Sequence, residues 1–283
     1  MSASLDPREY LDRIHFAYGA GFDSLEPSLR LLRALHEAHL LAVPFENLSI
    51  HYGQPIILRE EALYEKIVRR HRGGFCYELN GLFAWLLRQL GFEVTLLSAG
   101  VAQAGGAFSP EFDHLTVLIH HVDGADWLAD VGFGDSFRQP LRLRADVEQD
   151  GADGHLYRLH EGRAEDKRND EHARDEQQQH PYWTVRQRGD TGDTGDSAWE
   201  SQYRFTLRPH ALTDFVERCQ YQQTSPESHF TQKRICSMAL PQGRISLSDL
   251  RLITTIQGNK EERLLRSEEE YRAVLAQRFG IVV

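Results

Sequence analysis

The chain has 283 residues, 41% of them hydrophobic and 26% charged, with a formal net charge of -10. This is an ordinary soluble globular composition, long enough for two or three domains or one domain with a lid, and too acidic for nonspecific nucleic-acid binding. No apolar run approaches a membrane span, the opening MSASLDPREY lacks a basic-then-apolar leader, and three cysteines without a CxxC argue against a disulfide framework or a zinc ribbon. A cytoplasmic enzyme is the expectation. Any anionic substrate would have to be met by local N–H groups and Arg or Lys.

In chain order, Asp6-Pro7 offers an N-cap followed by a first-turn proline, with Tyr10, Leu11 and Ile14 on one face. A second helix should begin near Glu26-Pro27, carry Leu29, Leu32, Leu35, Leu40 and Leu41, and stop before Pro44. His36 and His39 lie on it three apart, as metal ligands can, but with no carboxylate motif nearby they read as a polar edge. In Pro44-Phe45-Glu46-Asn47-Leu48, either the segment is a surface loop or Glu46 is buried against an arginine, because an unpaired buried carboxylate is costly. A third helix is expected over 60–71, with Leu63, Tyr64, Ile67 and Val68 inward.

Arg72-Gly73-Gly74-Phe75-Cys76-Tyr77-Glu78-Leu79-Asn80 opens the fourth helix. Leu79, Leu82, Phe83, Leu86 and Leu90 keep one-face spacing until Gly91. Cys76 then sits in a first helical turn, where free N–H groups and the positive dipole end favour a thiolate, and the two glycines allow a tight turn and room beside the sulfur. The alternative is a small buried core cysteine.

After Gly91 the period changes. Strands are expected over 92–98, 114–120 and 126–133, the last two joined by an Asp123-Gly124 hairpin turn, and again over 138–143, 155–159, 182–187 and 199–207. Such a series suggests a barrel or a strongly twisted antiparallel sheet. Residues 161–180 contain no Val, Ile, Leu, Met or aromatic residue, which predicts a mobile loop, and the short tandem repeat over 189–196 predicts a flexible linker. The remainder reads as a C-terminal subdomain: a helix over 213–220, strands over 234–239, 244–247 and 250–257, and a last helix opened by Ser267 and Glu270 in capping-box spacing.

A reactive cysteine needs a base and a group that orients the base. His114 follows the Gly-rich Ala104-Gly105-Gly106 loop, and Asp130 stands in an otherwise apolar strand where it needs a hydrogen-bond donor. Around the Asp123-Gly124 turn the two lie about nine and seven positions out, so a bulge or a longer loop would have to bring them together. His120 and His121 sit at the turn and are expected to be solvated. The order Cys, His, Asp is that of papain-like thiol chemistry.

These segments resemble the arylamine N-acetyltransferases of bacterial type. The likeness rests on Pro44-Phe45-Glu46-Asn47-Leu48, on Arg72 through Gly81, on His114-Leu115 and on Asp130-Val131-Gly132-Phe133-Gly134. It continues in Tyr203-Arg204-Phe205-Thr206-Leu207, Thr224-Ser225-Pro226 and Phe230-Thr231. The resemblance implies an α+β chain with a cysteine-protease-like core: a helical bundle over 1–91, a β-barrel over 92–208 and an α/β lid over 209–283. It implies a Cys76–His114–Asp130 triad, no metal, acetyl-CoA as donor near Gly105, Gly106, Thr224 and Ser225, and aromatic amines or hydrazines as acceptors through an acetyl-cysteine. It also implies a structural ion pair between Glu46 and Arg72. The long charged stretch over 161–196 departs from the family pattern. Rival expectations are a papain- or transglutaminase-like thiol hydrolase, an amide synthase working on larger acyl chains, and a non-catalytic binding module.

Overall fold

The computed structural model describes residues 5–16, 25–162, 181–188 and 199–282. Most of the charged stretch, and the whole tandem repeat, therefore lie outside the described residues.

The N-terminal part is helical. α1 (Pro7–Arg13) is capped by Asp6, whose side chain accepts from the Arg8 N–H at 2.9 Å. α2 (Leu29–Ala42) starts at Ser28, just after Pro27, because the Ser28 hydroxyl supplies the cap. After α3 (Leu48–His51), the expected third helix is present but divided. α4 (Glu60–Tyr64) runs straight into a widened π turn over Glu65–Arg69, closed by Arg70 N–H donating to the Glu65 carbonyl at 3.0 Å. α5 (Cys76–Gln89) is the central helix. Every residue from Cys76 to Leu87 is buried, polar Glu78 and Asn80 included, so its neighbours cover it on all sides.

Eight strands follow: β2 (Glu93–Val101), β3 (His114–Val122), β4 (Ala125–Ala129), β5 (Leu141–Arg142), β6 (Gln149–Asp150), β7 (Leu156–Gly162), β8 (Tyr182–Arg188) and β9 (Trp199–His210). (β1, Phe45–Glu46, lies earlier in the chain and belongs to another sheet.) They form one antiparallel sheet in the order β5-β4-β3-β2-β9-β8-β7-β6. The two edge strands meet through a side chain: the Arg142 N–H donates to Gln149 Oε1 at 2.7 Å and Gln149 Nε2 donates to the Arg142 carbonyl at 3.0 Å. The sheet is thus almost closed around Tyr157, Leu159, Val185, Tyr203 and Phe205.

β1 (Phe45–Glu46) was not foreseen as a strand. It opens the C-terminal sheet, order β1-β10-β11-β12-β13, with β10 (Ile235–Leu240), β11 (Gly243–Ser248), β12 (Arg251–Ile256) and β13 (Asn259–Leu264). A two-residue strand flanked by Pro44 carries no periodic signal, and β13 is exposed along its whole length with Leu264 its one apolar residue, so neither could announce itself. α6 (Val216–Thr224) and α7 (His229–Gln232) precede this sheet, and α8 (Glu268–Phe279) packs Tyr271, Leu275 and Phe279 on it. Ser267 caps α8 by accepting from the Glu270 N–H at 3.2 Å. Among the described residues no helix is long and apolar enough to cross a membrane.

Candidate active site

Cys76 is the first residue of α5. The turn before it is set by close approach. Neither Gly73 nor Gly74 has a positive φ. A Cβ on Gly73 would lie 1.9 Å from the Pro44 carbonyl oxygen, and one on Gly74 would lie 2.7 Å from the Glu78 side chain. The glycines let β1 run beside the turn, where the Glu46 N–H donates to the Gly74 carbonyl at 2.8 Å. Their role is therefore to admit the neighbouring chain, and not a left-handed bend.

Behind the turn lies a buried charge network. Arg72 Nε donates to Glu46 Oε1 at 3.0 Å, and Glu46 Oε2 accepts from the Leu48 N–H at 2.7 Å. Lys66 Nζ, from the π turn, donates to Glu78 Oε1 at 2.7 Å, and Glu78 Oε2 accepts from the Phe75 N–H at 3.2 Å. Of the two readings of Glu46, burial against an arginine is the one observed.

His114 begins β3 and Asp130 follows the last residue of β4. His114 Nε2 and Asp130 Oδ2 are 2.6 Å apart, with both side chains almost fully buried. Asp130 Oδ1 accepts from Asn80 Nδ2 at 2.8 Å and from the Gly132 N–H at 3.0 Å. Burial alone would raise the Asp130 carboxyl, but the His114 imidazole and these donors outweigh it and hold the group below its usual range. Asn80, one turn along α5 from Cys76, also donates to the Leu115 carbonyl at 2.6 Å and accepts from the Val131 N–H at 2.8 Å. Sequence reading missed its part; the available signal was an Asn four residues after Cys76 on the same helix face.

Cys76 and His114 line one cavity of about 500 Å³ together with Phe45, Val101, Phe133 and Phe230. Its walls come from the helical part, the eight-stranded sheet, α6 and α7. Asp113, Gln222 and His229 add polar groups. Arg218 Nε donates to Asp113 Oδ1 at 2.7 Å, and Gln222 donates to the same oxygen, so α6 is tied to the residue before His114. Burial pushes the Cys76 thiol well above its ordinary value, against a backbone hydrogen bond from Leu115 that lowers it. Burial thus opposes the thiolate preference that the helix start supplies.

Gly105 and Gly106 form an exposed turn with φ near 84°. Thr224 ends α6, its hydroxyl donating to the Gln220 carbonyl at 2.9 Å, and Ser225 follows it. None of these four lines the cavity; they stand on the surface beside residues that do, Ala104 and Gln222. His121 is exposed, while His120 Nε2 lies 2.8 Å from Thr95 Oγ1; neither borders the cavity. His36 and His39 are not a polar edge: both are wholly buried, and among the described residues no cluster of three metal-ligating side chains occurs.

A family model described as N-acetyltransferase matches residues 28–283. Human arylamine N-acetyltransferase 1 is 32% identical over 289 residues, covering 98% of this chain and 94% of its own. The solved arylamine N-acetyltransferase of Salmonella typhimurium superposes with a TM-score of 0.82 at 30% identity, over 99% of this chain and 92% of that one. The Mycobacterium marinum arylamine N-acetyltransferase in complex with CoA gives a TM-score of 0.80 at 29% identity, over 98% and 93%.

Proposed function

Because the chain belongs to the arylamine N-acetyltransferase family, we propose that it moves the acetyl group of acetyl-CoA onto aromatic amines and hydrazines through an acetyl-Cys76 intermediate. The observation that carries this reading is the buried 2.6 Å His114–Asp130 contact at the wall of a cavity that also exposes Cys76.

Each residue then has a task. Asp130, held ionised by Asn80 and the Gly132 N–H, binds His114 at Nε2, which leaves Nδ1 as the ring nitrogen free to serve the sulfur. The Cys76 thiolate, its proton held on His114 Nδ1, attacks the thioester carbonyl. The oxyanion is met by backbone N–H groups, that of Cys76 among them. As the tetrahedral intermediate collapses, CoA leaves as a thiol with the proton from His114. The amine attacks the acetyl-enzyme next, His114 takes its proton, and collapse restores the Cys76 thiolate beside it. Phe45, Phe133 and Phe230 keep water from the thioester in between.

Gly105, Gly106 and Thr224, exposed beside the cavity, and half-buried Ser225 suit contacts with the polar part of the coenzyme. We take the boundaries of the three units as 1–91, 92–208 and 209–283, with β1 crossing from the first to the third.

Mass spectrometry decides the covalent step. Mixing with acetyl-CoA alone should place one acetyl group on Cys76, and an arylamine should remove it. Normal turnover without that adduct would mean direct transfer and would overturn the mechanism.

A further inference from the structure

Asp130 stands where backbone pairing has run out. The β3–β4 ladder ends at Val117 opposite Ala129, and the β4–β5 ladder ends at Leu128 opposite Leu141. The Asp130 N–H is nonetheless satisfied: it donates to His36 Nε2 at 3.1 Å, from α2, 94 residues away in sequence. On the other side of the same ring, His36 Nδ1 lies 2.9 Å from the Arg138 carbonyl. A backbone N–H can only donate and a carbonyl can only accept, so these two partners admit a single state, neutral and protonated at Nδ1. The ring is held in its plane as well, stacked on Phe137 at 5.9 Å and 9° and edge-on to Phe83 at 6.1 Å. It is completely buried, and burial pushes its own proton affinity down, to a pKa of about 4, so it stays neutral in use.

Arg138 extends the contact further. Its guanidinium donates to the Leu240 carbonyl at 2.7 Å and to the carbonyls of Pro241 and Gly243. One imidazole therefore joins α2, the end of β4 and a loop clamped onto the turn between β10 and β11.

We propose that His36 is a positioning residue for acetyl transfer: it fixes the backbone of Asp130, and thereby aims the Asp130 carboxylate at His114. It touches no substrate. Asp130 lacks a strand partner at this point; Asn80 and the Gly132 N–H hold its carboxylate and Asn80 the Val131 N–H, which leaves His36 to hold the Asp130 N–H itself. The proposal rests on the triad reading, and the test separates the two.

Three substitutions distinguish the bonds of the ring. His36→Gln can present an amide oxygen where Nε2 stood and keep the Asp130 bond. His36→Asn reaches only toward Arg138, and His36→Leu makes neither bond. The readout is the second-order rate of Cys76 alkylation by iodoacetamide across pH, with the rate of acetyl-enzyme formation and with melting temperature as a fold control. Displacing a catalytic group by about 1 Å can cost about 100-fold, so the Leu and Asn variants should lose 10- to 100-fold in both rates with an altered pH profile. Gln should recover most of it. Folded Leu and Asn variants that react like the parent would overturn the proposal. If the Leu variant does not fold, equal rates for Asn and Gln would overturn it. The parent protein gives an independent check: the ¹⁵N resonances of His36 should show Nδ1 protonated and Nε2 bare, and the opposite tautomer sinks the idea. Asp130→Asn runs alongside. If it is fully active the triad reading itself fails, whereas an impaired Asp130→Asn with unaffected His36 variants rejects only His36.

Discussion

Glu46 shows how a single buried carboxylate can be anticipated from sequence. It stands with Asn47 between apolar residues, where burial would call for an arginine, and Arg72 Nε and Nη2 lie at 3.0 and 2.9 Å from its Oε1. Removing one partner leaves a charge stranded at a cost of about 3–5 kcal/mol. Glu46→Gln and Arg72→Met should each lower the urea midpoint by a corresponding amount, and the double variant should lose less than the sum; strict additivity would remove the coupling. Asp130→Asn should retain the fold but lose about 10⁴ in turnover, the loss in the analogous serine triad, because an amide facing Nε2 fixes the wrong imidazole tautomer. A loss below tenfold in steady-state assays would contradict that role. The His114–Asp130 contact was legible because an aspartate in an otherwise apolar strand needs a hydrogen-bond donor. His36 and Asn80 were not legible, since what they do depends on Arg138, Leu115 and Val131, which the chain brings in from far away.

Among the elements, the β3–β4 hairpin was the best announced. Its Asp123-Gly124 turn has φ of 50° and 73°, and Val122 pairs with Ala125 across it. A bulge is present, between Ile119 and Val122, but it does not bring 114 opposite 130. Continuing the Val117–Ala129 register sets Asp130 level with Thr116, and its side chain crosses diagonally to His114 because β4 stops at Ala129. Strand type can be read from alternation, whereas the residue at which a chain leaves a ladder depends on what receives its freed N–H. The Gly73-Gly74 turn gives a matching lesson, since its glycines answer to Pro44 and Glu78 rather than to their own dihedrals. Gly73→Ala should therefore lower stability by more than about 2 kcal/mol, a backbone oxygen having no room to move aside. Gly106→Ala meets no atom within 4 Å and strains only its φ of 84°, a cost of about 1–2 kcal/mol. Thermal melts should rank the two in that order, and a wild-type melt for Gly73→Ala would refute the packing account.

For the molecule as a whole, composition and periodicity separated the helical part, the long sheet and the C-terminal subdomain, but they were silent on what fastens these together. Of two buried histidines of α2, one fastens parts together and the other fastens helix to helix. His36 bridges to Asp130 and Arg138, and His39 Nδ1 lies 2.9 Å from the Tyr10 hydroxyl of α1. Burial lowers both, His36 from 6.5 to about 4 and His39 well below 6.5. Below 6.5 the unfolded chain binds protons at these positions that the folded chain refuses. Their stabilisation is therefore complete above that pH and drains away as pH falls toward the folded values. The shift at His36 corresponds to about 3 kcal/mol, with His39 adding in the same direction. Asp130, lowered by its partners, adds a further loss at more acid pH, and Glu78, raised by burial, opposes it in part. The urea midpoint should accordingly fall steeply between pH 6.5 and pH 4.5, well before surface carboxylates titrate. His39→Gln, which cannot take up a proton, should be less stable at pH 7 yet show a shallower fall over the same interval. If its slope equals that of the parent while His36 stays neutral by NMR, the buried histidines are not what makes this fold sensitive to acid.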